Sequence, residues 1–242
     1  MKERLDKILA SQGAFSRSEA KQLVRGGRVQ INGVLAKSAD EKADPETDAI
    51  TVDGEAFAYR KFVYIMLNKP QGVVSASESP GDVTVIDLIP PALKRPGLFP
   101  AGRLDKDTTG FVLVTDDGAF AHEILSPKKH VEKTYIAQLA RSIPAEEQKR
   151  FAEGVTLADG YECLPAKIRE LNEDGTLVEI RLREGKYHQI KRMAAACGSH
   201  VTALHRVAMG ALTLDKTLAS GECRLLTEEE KRSIQDSSKT AF

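Results

Sequence analysis

The residues best able to do chemistry lie in Gly102-Arg103-Leu104-Asp105-Lys106-Asp107-Thr108-Thr109-Gly110, where two carboxylates and two cations sit between glycines just ahead of the apolar run Phe111–Thr115. A carboxylate held on a loop by the strand that follows it can act as nucleophile or general base, provided that a cation keeps it ionised and in place. The bland alternative is an Asx-rich turn with solvated acids. A second concentration is basic. Arg181 to Arg206 holds six Lys/Arg against the single acid Glu184, with His188, His200 and His205 among them. Inside it, Glu184-Gly185-Lys186-Tyr187-His188-Gln189-Ile190-Lys191-Arg192-Met193 runs from a strand end through a glycine turn into a helix. Cations and an aromatic gathered there suit a polyanion, against the alternative of a solvated helix start. Lys128-Lys129-His130-Val131-Glu132-Lys133-Thr134-Tyr135 forms a third cluster, a basic hairpin-like segment ending in an aromatic at a strand start. Tyr135 could stack on a base, although a tyrosine there more often serves packing. Cys197, His200 and His205 have partial zinc-ligand spacing without a convincing fourth ligand, so no metal site is expected.

The elements that must position these groups show two textures. From Met1 to Gln30 there are seven Lys/Arg against three acids, whereas Asp40 to Glu55 carries seven acids and one lysine. This sign change predicts a small unit with one basic helical face. Leu5, Ile8 and Leu9 have helical spacing, and Ser16-Arg17-Ser18-Glu19 reads as a capping box that opens a second helix with Ala20, Leu23 and Val24 inward. Strands follow over Arg28–Asn32, turning at Asn32-Gly33, and over Ile50–Val52 before Asp53-Gly54. After a polar junction near Ala58–Lys61, apolar strands alternate with Gly/Pro turns: Val63–Leu67, Gly72–Ser75, Phe111–Thr115, Tyr135–Leu139 and Leu177–Leu182. Helices are expected over Ala119–Leu125, Ala145–Glu153 and Gln189–Ala196, which makes the fold class α+β. Ser233–Phe242 is polar and unpatterned and reads as a loose tail.

With 242 residues, 41% of them hydrophobic, the chain can bury one large or two small cores. Equal numbers of basic and acidic residues, 35 each, rule out a uniformly basic coat for nucleic acid. The charged start from Lys2 to Lys7 and the short apolar run Phe62–Leu67 point to a soluble, cytoplasmic protein without a membrane span. Three scattered cysteines, Cys163, Cys197 and Cys223, fit a reducing compartment.

Two family resemblances arise from these motifs. Asp105-Lys106-Asp107-Thr108-Thr109 fits the D-x-D-x-T signature of haloacid-dehalogenase-like phosphatases, in which the first Asp attacks phosphorus beside magnesium. That signature needs a buried apolar strand directly before the first Asp, and Pro100-Ala101-Gly102-Arg103-Leu104 makes a poor one. The second covers nearly the whole chain. Arg4-Leu5-Asp6-Lys7, Ser16-Arg17-Ser18-Glu19-Ala20, Gly27-Arg28-Val29 and Ile31-Asn32-Gly33 resemble an S4 module. Leu67-Asn68-Lys69-Pro70-Gln71-Gly72, Gly102-Arg103-Leu104-Asp105, Lys133-Thr134-Tyr135 and Tyr187-His188-Gln189-Ile190-Lys191-Arg192-Met193 resemble, in order, the motifs of RsuA/RluB-type pseudouridine synthases.

That resemblance implies an S4-like α/β RNA-binding domain over 1–58, a linker over 59–62, a mainly antiparallel mixed-sheet catalytic domain over 63–232 and a tail over 233–242. It implies Asp105 as the catalytic aspartate, Tyr135 as the ring against the target uracil, and Lys191, where many relatives carry arginine, as the cation on Asp105. An ammonium can hold a carboxylate ionised, although without a bidentate fork. Arg103 would face the RNA backbone or the gap left by a flipped nucleotide, with Arg4, Lys7, Arg17, Lys21, Arg25, Arg28 and Arg192 as further RNA contacts. Segments such as Leu212-Thr213-Leu214-Asp215 and Leu226-Thr227-Glu228-Glu229-Glu230 look closer to the small-subunit enzymes. The implied partner is therefore 16S ribosomal RNA at the uridine-516 site, naked or in an assembling small-subunit particle. The implied enzyme is a monomer that uses no cofactor or metal, which fits the lack of a P-loop or Rossmann fingerprint. The alternatives are a 23S rRNA synthase and a non-catalytic S4-type RNA-binding protein.

Overall fold

In the computed structural model, which describes residues 1–126 and 131–235, the chain forms two compact units. The first comprises Met1–Val63 together with Ile89–Leu98. Its elements are β1 (Glu3–Arg4), α1 (Leu5–Ser11), α2 (Arg17–Arg25), β2 (Val29–Ile31), β3 (Val34–Leu35), β4 (Lys42–Ala43), β5 (Ile50–Val52) and β6 (Glu55–Ala56). The capping box forms as read, with Glu19 N–H donating to Ser16 Oγ at 3.2 Å and Ser16 N–H to Glu19 Oε2 at 2.7 Å. Leu5, Ile8 and Leu9 of α1 meet Ala20, Leu23 and Val24 of α2 over Val29 and Ile50. Strands β3-β2-β5-β6 make one antiparallel sheet. Its two hairpins turn at Asn32-Gly33 and Asp53-Gly54, all four residues left-handed, as the type I′ turn requires.

The residues expected as a linker are tied down inside this unit. Arg60 N–H donates to Gln12 Oε1, and Arg95 donates to the carbonyls of Arg60 and Lys61 at 2.8 and 2.9 Å. Ile89–Leu98, expected from its position to belong with the later residues, thus clusters with the earlier ones, because the Arg95 guanidinium satisfies carbonyls that would otherwise be left to solvent.

The second unit, Tyr64–Leu88 and Phe99 onward, is built on a nine-stranded sheet. Its strands are β7 (Tyr64–Lys69), β8 (Phe99–Ala101), β9 (Thr109–Thr115), β10 (Lys133–Leu139), β11 (Lys167–Glu170), β12 (Leu177–Leu182), β13 (Val201–Met209), β14 (Leu212–Thr213) and β15 (Cys223–Leu225). Its helices are α3 (Gly118–Leu125), α4 (Ala145–Glu153), α5 (Gln189–Ala196) and α6 (Glu228–Gln235). The order is β11-β12-β10-β13-β9-β7-β15, with β14 on β13 and β8 on β9. Among the described residues every pairing in this sheet is antiparallel except β13 with β9, so the parallel sheet that a dehalogenase-like phosphatase needs is not formed. Alternation along β12 buries Val178, Ile180 and Leu182 and leaves Glu179 and Arg181 half exposed. One core, under β7, β9 and α3, holds Met66, Phe111, Leu113, Phe120 and Ile124.

Two expectations are corrected, and one on the strand before Asp105 holds. Gly72–Ser75 is not a strand: Gly72 lies in a turn at φ 85° with its N–H on Lys106 O, only Val74 makes a β-bridge, to Thr84, and Ser75 Oγ braces Leu104, donating to its carbonyl at 2.9 Å and accepting its N–H at 3.0 Å. As expected, no strand runs directly into Asp105: the short strand β8, with Pro100 at the edge of β9 where a missing N–H is tolerated, ends at Ala101. Ser233–Gln235 end α6 rather than belonging to a tail, with Ile234 fully buried, and residues 236–242 lie outside the described residues. No helix among the described residues is long and apolar enough to cross a membrane.

Candidate active site

The loop Gly102–Thr108 is held at both ends and in the middle. Ser75 clamps Leu104, Gly72 N–H donates to Lys106 O at 2.8 Å, and the fully buried Lys69 Nζ reaches Thr108 O at 2.7 Å, Pro70 O at 3.0 Å and Lys106 O at 3.4 Å. Gly110 ends the loop at φ +100°, where a Cβ would meet Arg206 O at 2.3 Å, so β9 and β13 can approach only through a glycine. Burial pushes the Lys69 ammonium down to about 8, against the pull of Asp107 and Asp105.

Asp105 projects from this braced loop, 29% exposed, toward α5. Lys191 Nζ stands 3.2 Å from Asp105 Oδ2 and 2.6 Å from Asp107 Oδ1. Burial alone would lower the Lys191 ammonium, but the Asp107 and Asp105 carboxylates outweigh it and hold it above its usual range. The hydrogen bond from Lys191 holds the Asp107 carboxyl below the usual carboxylate range, against the opposing effect of burial. On the other side of Asp105, His188 Nε2 lies 3.6 Å from Oδ1. His188 caps α5 in a left-handed conformation, φ 49°, and its ring stacks at 3.8 Å on Tyr187, which is 75% exposed.

Tyr135, near the start of β10, is buried against this loop, and the Arg206 guanidinium lies 6.0 Å from its ring centre. Arg206 is itself buried, donates from Nε to Phe111 O at 2.7 Å, and leaves Nη2 without a hydrogen-bond partner among the described residues. Burial, with the Arg206 charge adding to it, pushes Lys133 down to about 8. A narrow cleft of about 70 Å³ opens between Arg103, Asp105, Tyr135, Lys186, His188 and Lys191. Four residues singled out in the sequence, Arg103, Asp105, Tyr135 and Lys191, therefore converge on one cleft.

The other basic residues divide. Arg192 lies on α5 but pairs with Asp159 at 2.5 Å. In the first unit Arg4 is bonded to Asp6 and Asp40, Lys7 to Glu3, and Arg28 to Asp53. Arg17, Lys21 and Arg25 are exposed on α2 with no ion pair among the described residues. Lys128, Lys129 and His130 of the third basic cluster lie outside the described residues. His205 is hydrogen-bonded to Thr109 rather than to a neighbour of metal-binding type, and the described residues hold no group of three His, Cys, Asp or Glu arranged for a metal. Sequence reasoning gave Lys69, Arg206 and His188 no task of their own. Only the Asn68-Lys69-Pro70 run after an apolar strand hinted at Lys69, and nothing in the sequence marks Arg206 for burial.

Comparison with known proteins adds the decisive observation: residues 63–196, which carry Asp105, Tyr135 and Lys191, match the family described as RNA pseudouridylate synthase. The chain belongs to this family. The pseudouridine synthase also carries an S4 domain, matched over residues 3–48. It is 50% identical to the uncharacterised RNA pseudouridine synthase YtzG of Bacillus subtilis, over 94% of this chain and 96% of that protein. It is 44% identical to the ribosomal small subunit pseudouridine synthase A of Escherichia coli (strain K12), over 96% and 99% of the two chains. A crystal structure of a pseudouridylate synthase superposes with a TM-score of 0.67 at 40% identity, covering 96% of this chain and 99% of that one. RNA is thus the synthase's substrate.

Proposed function

We propose that this pseudouridine synthase isomerises one uridine of 16S ribosomal RNA, at the uridine-516 site, and that Asp105, Lys191 and Tyr135 do the work. The observation that carries the site assignment is the Lys191 ammonium 3.2 Å from the Asp105 carboxylate inside a cleft walled by Tyr135. The small-subunit substrate is supported by the 44% identity, over nearly the full length of both chains, to an enzyme named for the ribosomal small subunit.

Making pseudouridine breaks the N1–C1′ bond, turns the freed uracil and joins its C5 to C1′, with the C5 proton lost and N1 reprotonated. Product and substrate have the same atoms and oxidation level, so the route calls for no electron donor or acceptor. The nucleotide must first leave its stack, at a cost of a few kcal/mol, and an aromatic wall offsets part of that cost. Tyr135 supplies the wall, with the guanidinium of Arg206, its cross-strand neighbour, 6.0 Å from the ring centre. Asp105, held in place by the Lys191 ammonium at 3.2 Å, either attacks C1′ or removes the C2′ proton to give a glycal; both release uracil from C1′. Arg103 lies at the cleft to receive phosphate or fill the vacated stack, and Arg17, Lys21 and Arg25 offer unpaired cations to the RNA backbone. The proposed setting is the cytoplasm, with the chain acting as a monomer on 16S rRNA or an assembling small-subunit particle.

Carbodiimide labelling and primer extension on unmodified 16S and 23S rRNA, with wild-type and Asp105→Asn protein, test this reading. One Asp105-dependent stop in 16S rRNA is expected, with RNA binding retained by Asp105→Asn. A stop in 23S rRNA would reassign the substrate. Absence of any stop in naked RNA and in assembling particles would overturn the reading.

A further inference from the structure

The strands that hold Tyr135 in the core turn their other face outward, and that face is organised. Cross-strand register places Arg169, Glu179, Ile136 and His205 in one row over β11, β12, β10 and β13, and His205 pairs on with Thr109 of β9. Thr109 lies just beyond the Asp105 loop, and its hydroxyl meets His205 Nδ1 at 2.8 Å, on this same face. Four strand spacings of 4.7–4.9 Å make the row about 19 Å long.

The chemistry changes along it. Next to the active site is a hollow of about 220 Å³ lined by Gln71, Asp107, Ile136, Gln138, Leu177 and His205. Asp107 is the link: its Oδ1 is held by Lys191, which also holds Asp105, while the same side chain borders the hollow. The lining offers amide and hydroxyl hydrogen-bonding groups over apolar Ile136 and Leu177, and no lysine or arginine, which suits a base and not a phosphate. Further out, between α4 and the β11–β12 edge, lies a groove of about 570 Å³ lined by Gln148, Lys149, Lys167, Arg169, Glu179 and Arg181. Glu179 accepts from Arg169 at 3.1 Å and from Arg181 at 2.8 Å, so one carboxylate is shared by two guanidiniums. Lys149 contacts Glu146 at 2.9 Å, and Arg181 also approaches the buried Glu132 at 3.9 Å. Lys149 and Arg169 are each 66% exposed and keep donors free for phosphate.

We propose that this open sheet face is a track for single-stranded RNA flanking the target uridine: a neighbouring base enters the hollow beside Asp107, and the strand then runs over Lys149, Arg169 and Arg181. The inference rests on the functional reading above and extends it to the RNA outside the cleft. It accounts for a row of mostly polar, partly exposed side chains beside the site, and for cations that stand apart from the hollow.

The test compares a long 16S rRNA fragment containing the mapped uridine with a short oligonucleotide confined to the target and its immediate neighbours. The proteins are wild type, K149Q/R169Q and R181Q, with unfolding curves confirming that all are folded. For the long RNA, K149Q/R169Q is expected to raise KM about tenfold with kcat kept. Its plot of log affinity against log salt should be shallower by about 1.4, at about 0.7 for each single-strand phosphate no longer neutralised. R181Q should shift both in the same direction, and the short RNA should be handled as by wild type. Unchanged KM and salt slope on the long RNA, or equal impairment on long and short RNA, would overturn the track. No pseudouridine from wild type on either RNA would instead overturn the functional reading, and the track with it.

Discussion

Replacing Lys69 by methionine separates two things the buried lysine does. Its ammonium is buried against three carbonyls with no carboxylate in ion-pair contact among the described residues, and burial, outweighing the pull of Asp107 and Asp105, moves it from the usual 10.5 to about 8. Below pH 8 both folded and unfolded chains carry the charge. Between 8 and 10.5 the unfolded chain binds a proton that the folded one has lost, so unfolding free energy rises with pH. Over that window the rise from this one group is roughly 3 kcal/mol, at about 1.4 kcal/mol per pH unit. Lys69→Met removes the charge and the rise together, but leaves the Thr108 and Lys106 carbonyls short of a donor, at about 1–3 kcal/mol for a buried acceptor. Near pH 7 the two effects oppose each other, and the two proteins should differ by only about 2 kcal/mol or less. By pH 10 wild type should be ahead by roughly 3 kcal/mol more than at pH 7. Urea unfolding at pH 7, 8, 9 and 10 measures this, and the difference between the two proteins cancels every other titrating group. Parallel curves for the two proteins across that range would mean that Lys69 keeps its ordinary titration in the folded protein. Turnover should also fall in the variant, because the tether of the Asp105 loop is gone.

Lys191→Met should lower kcat about 30-fold, the equivalent of a charge-assisted hydrogen bond of about 2 kcal/mol, with Lys191→Arg recovering most of it; single-turnover pseudouridine formation reads this. In the S4 unit, R17E/K21E should weaken RNA affinity and flatten its salt dependence, as fluorescence anisotropy across a salt series would show, while Arg4→Gln, whose guanidinium is already engaged by Asp6 and Asp40, should change the slope little. Gly110→Ala should destabilise the protein by more than about 3 kcal/mol or prevent folding, read by urea midpoint, because its Cβ would stand 2.3 Å from Arg206 O at a strained φ.

Much of this architecture is legible in the sequence alone. The alternation in Leu177–Leu182 and the helical patterns over Ala145–Glu153 and Gln189–Ala196 give elements with the observed bounds, and the capping box at Ser16 forms in full. These are places where local pattern and tertiary burial agree. The convergence of Asp105, Tyr135 and Lys191 is legible only through motifs, since nothing local says that a loop, a strand and a helix will meet. The longest strand, Val201–Met209, escapes notice because His205 and Arg206 interrupt its apolar pattern and read as part of a basic cluster. Its arginine is buried through a bond to Phe111 O and a place behind Tyr135, both made by distant segments. Gly72–Ser75 shows the reverse error: an apolar run that looks like a strand is used to brace a loop.

The sheet also sets a condition on when the site can exist. β7 carries Lys69, the tether of the Asp105 loop, yet its outer neighbour β15 is among the last elements of the described chain. Asn68 bonds the carbonyl of Leu218 from 150 residues away, and Tyr64 O accepts the N–H of Leu226. A nascent chain that has already made Asp105, Tyr135 and Lys191 still presents β7 as a bare edge, open to pairing with a stranger and costly in loop-closure entropy to cover. Among the described residues, the last strand in chain order pairs with the first of this sheet. A truncation that reaches β15 would therefore bare β7, the adjacent strand that steadies the Asp105 loop.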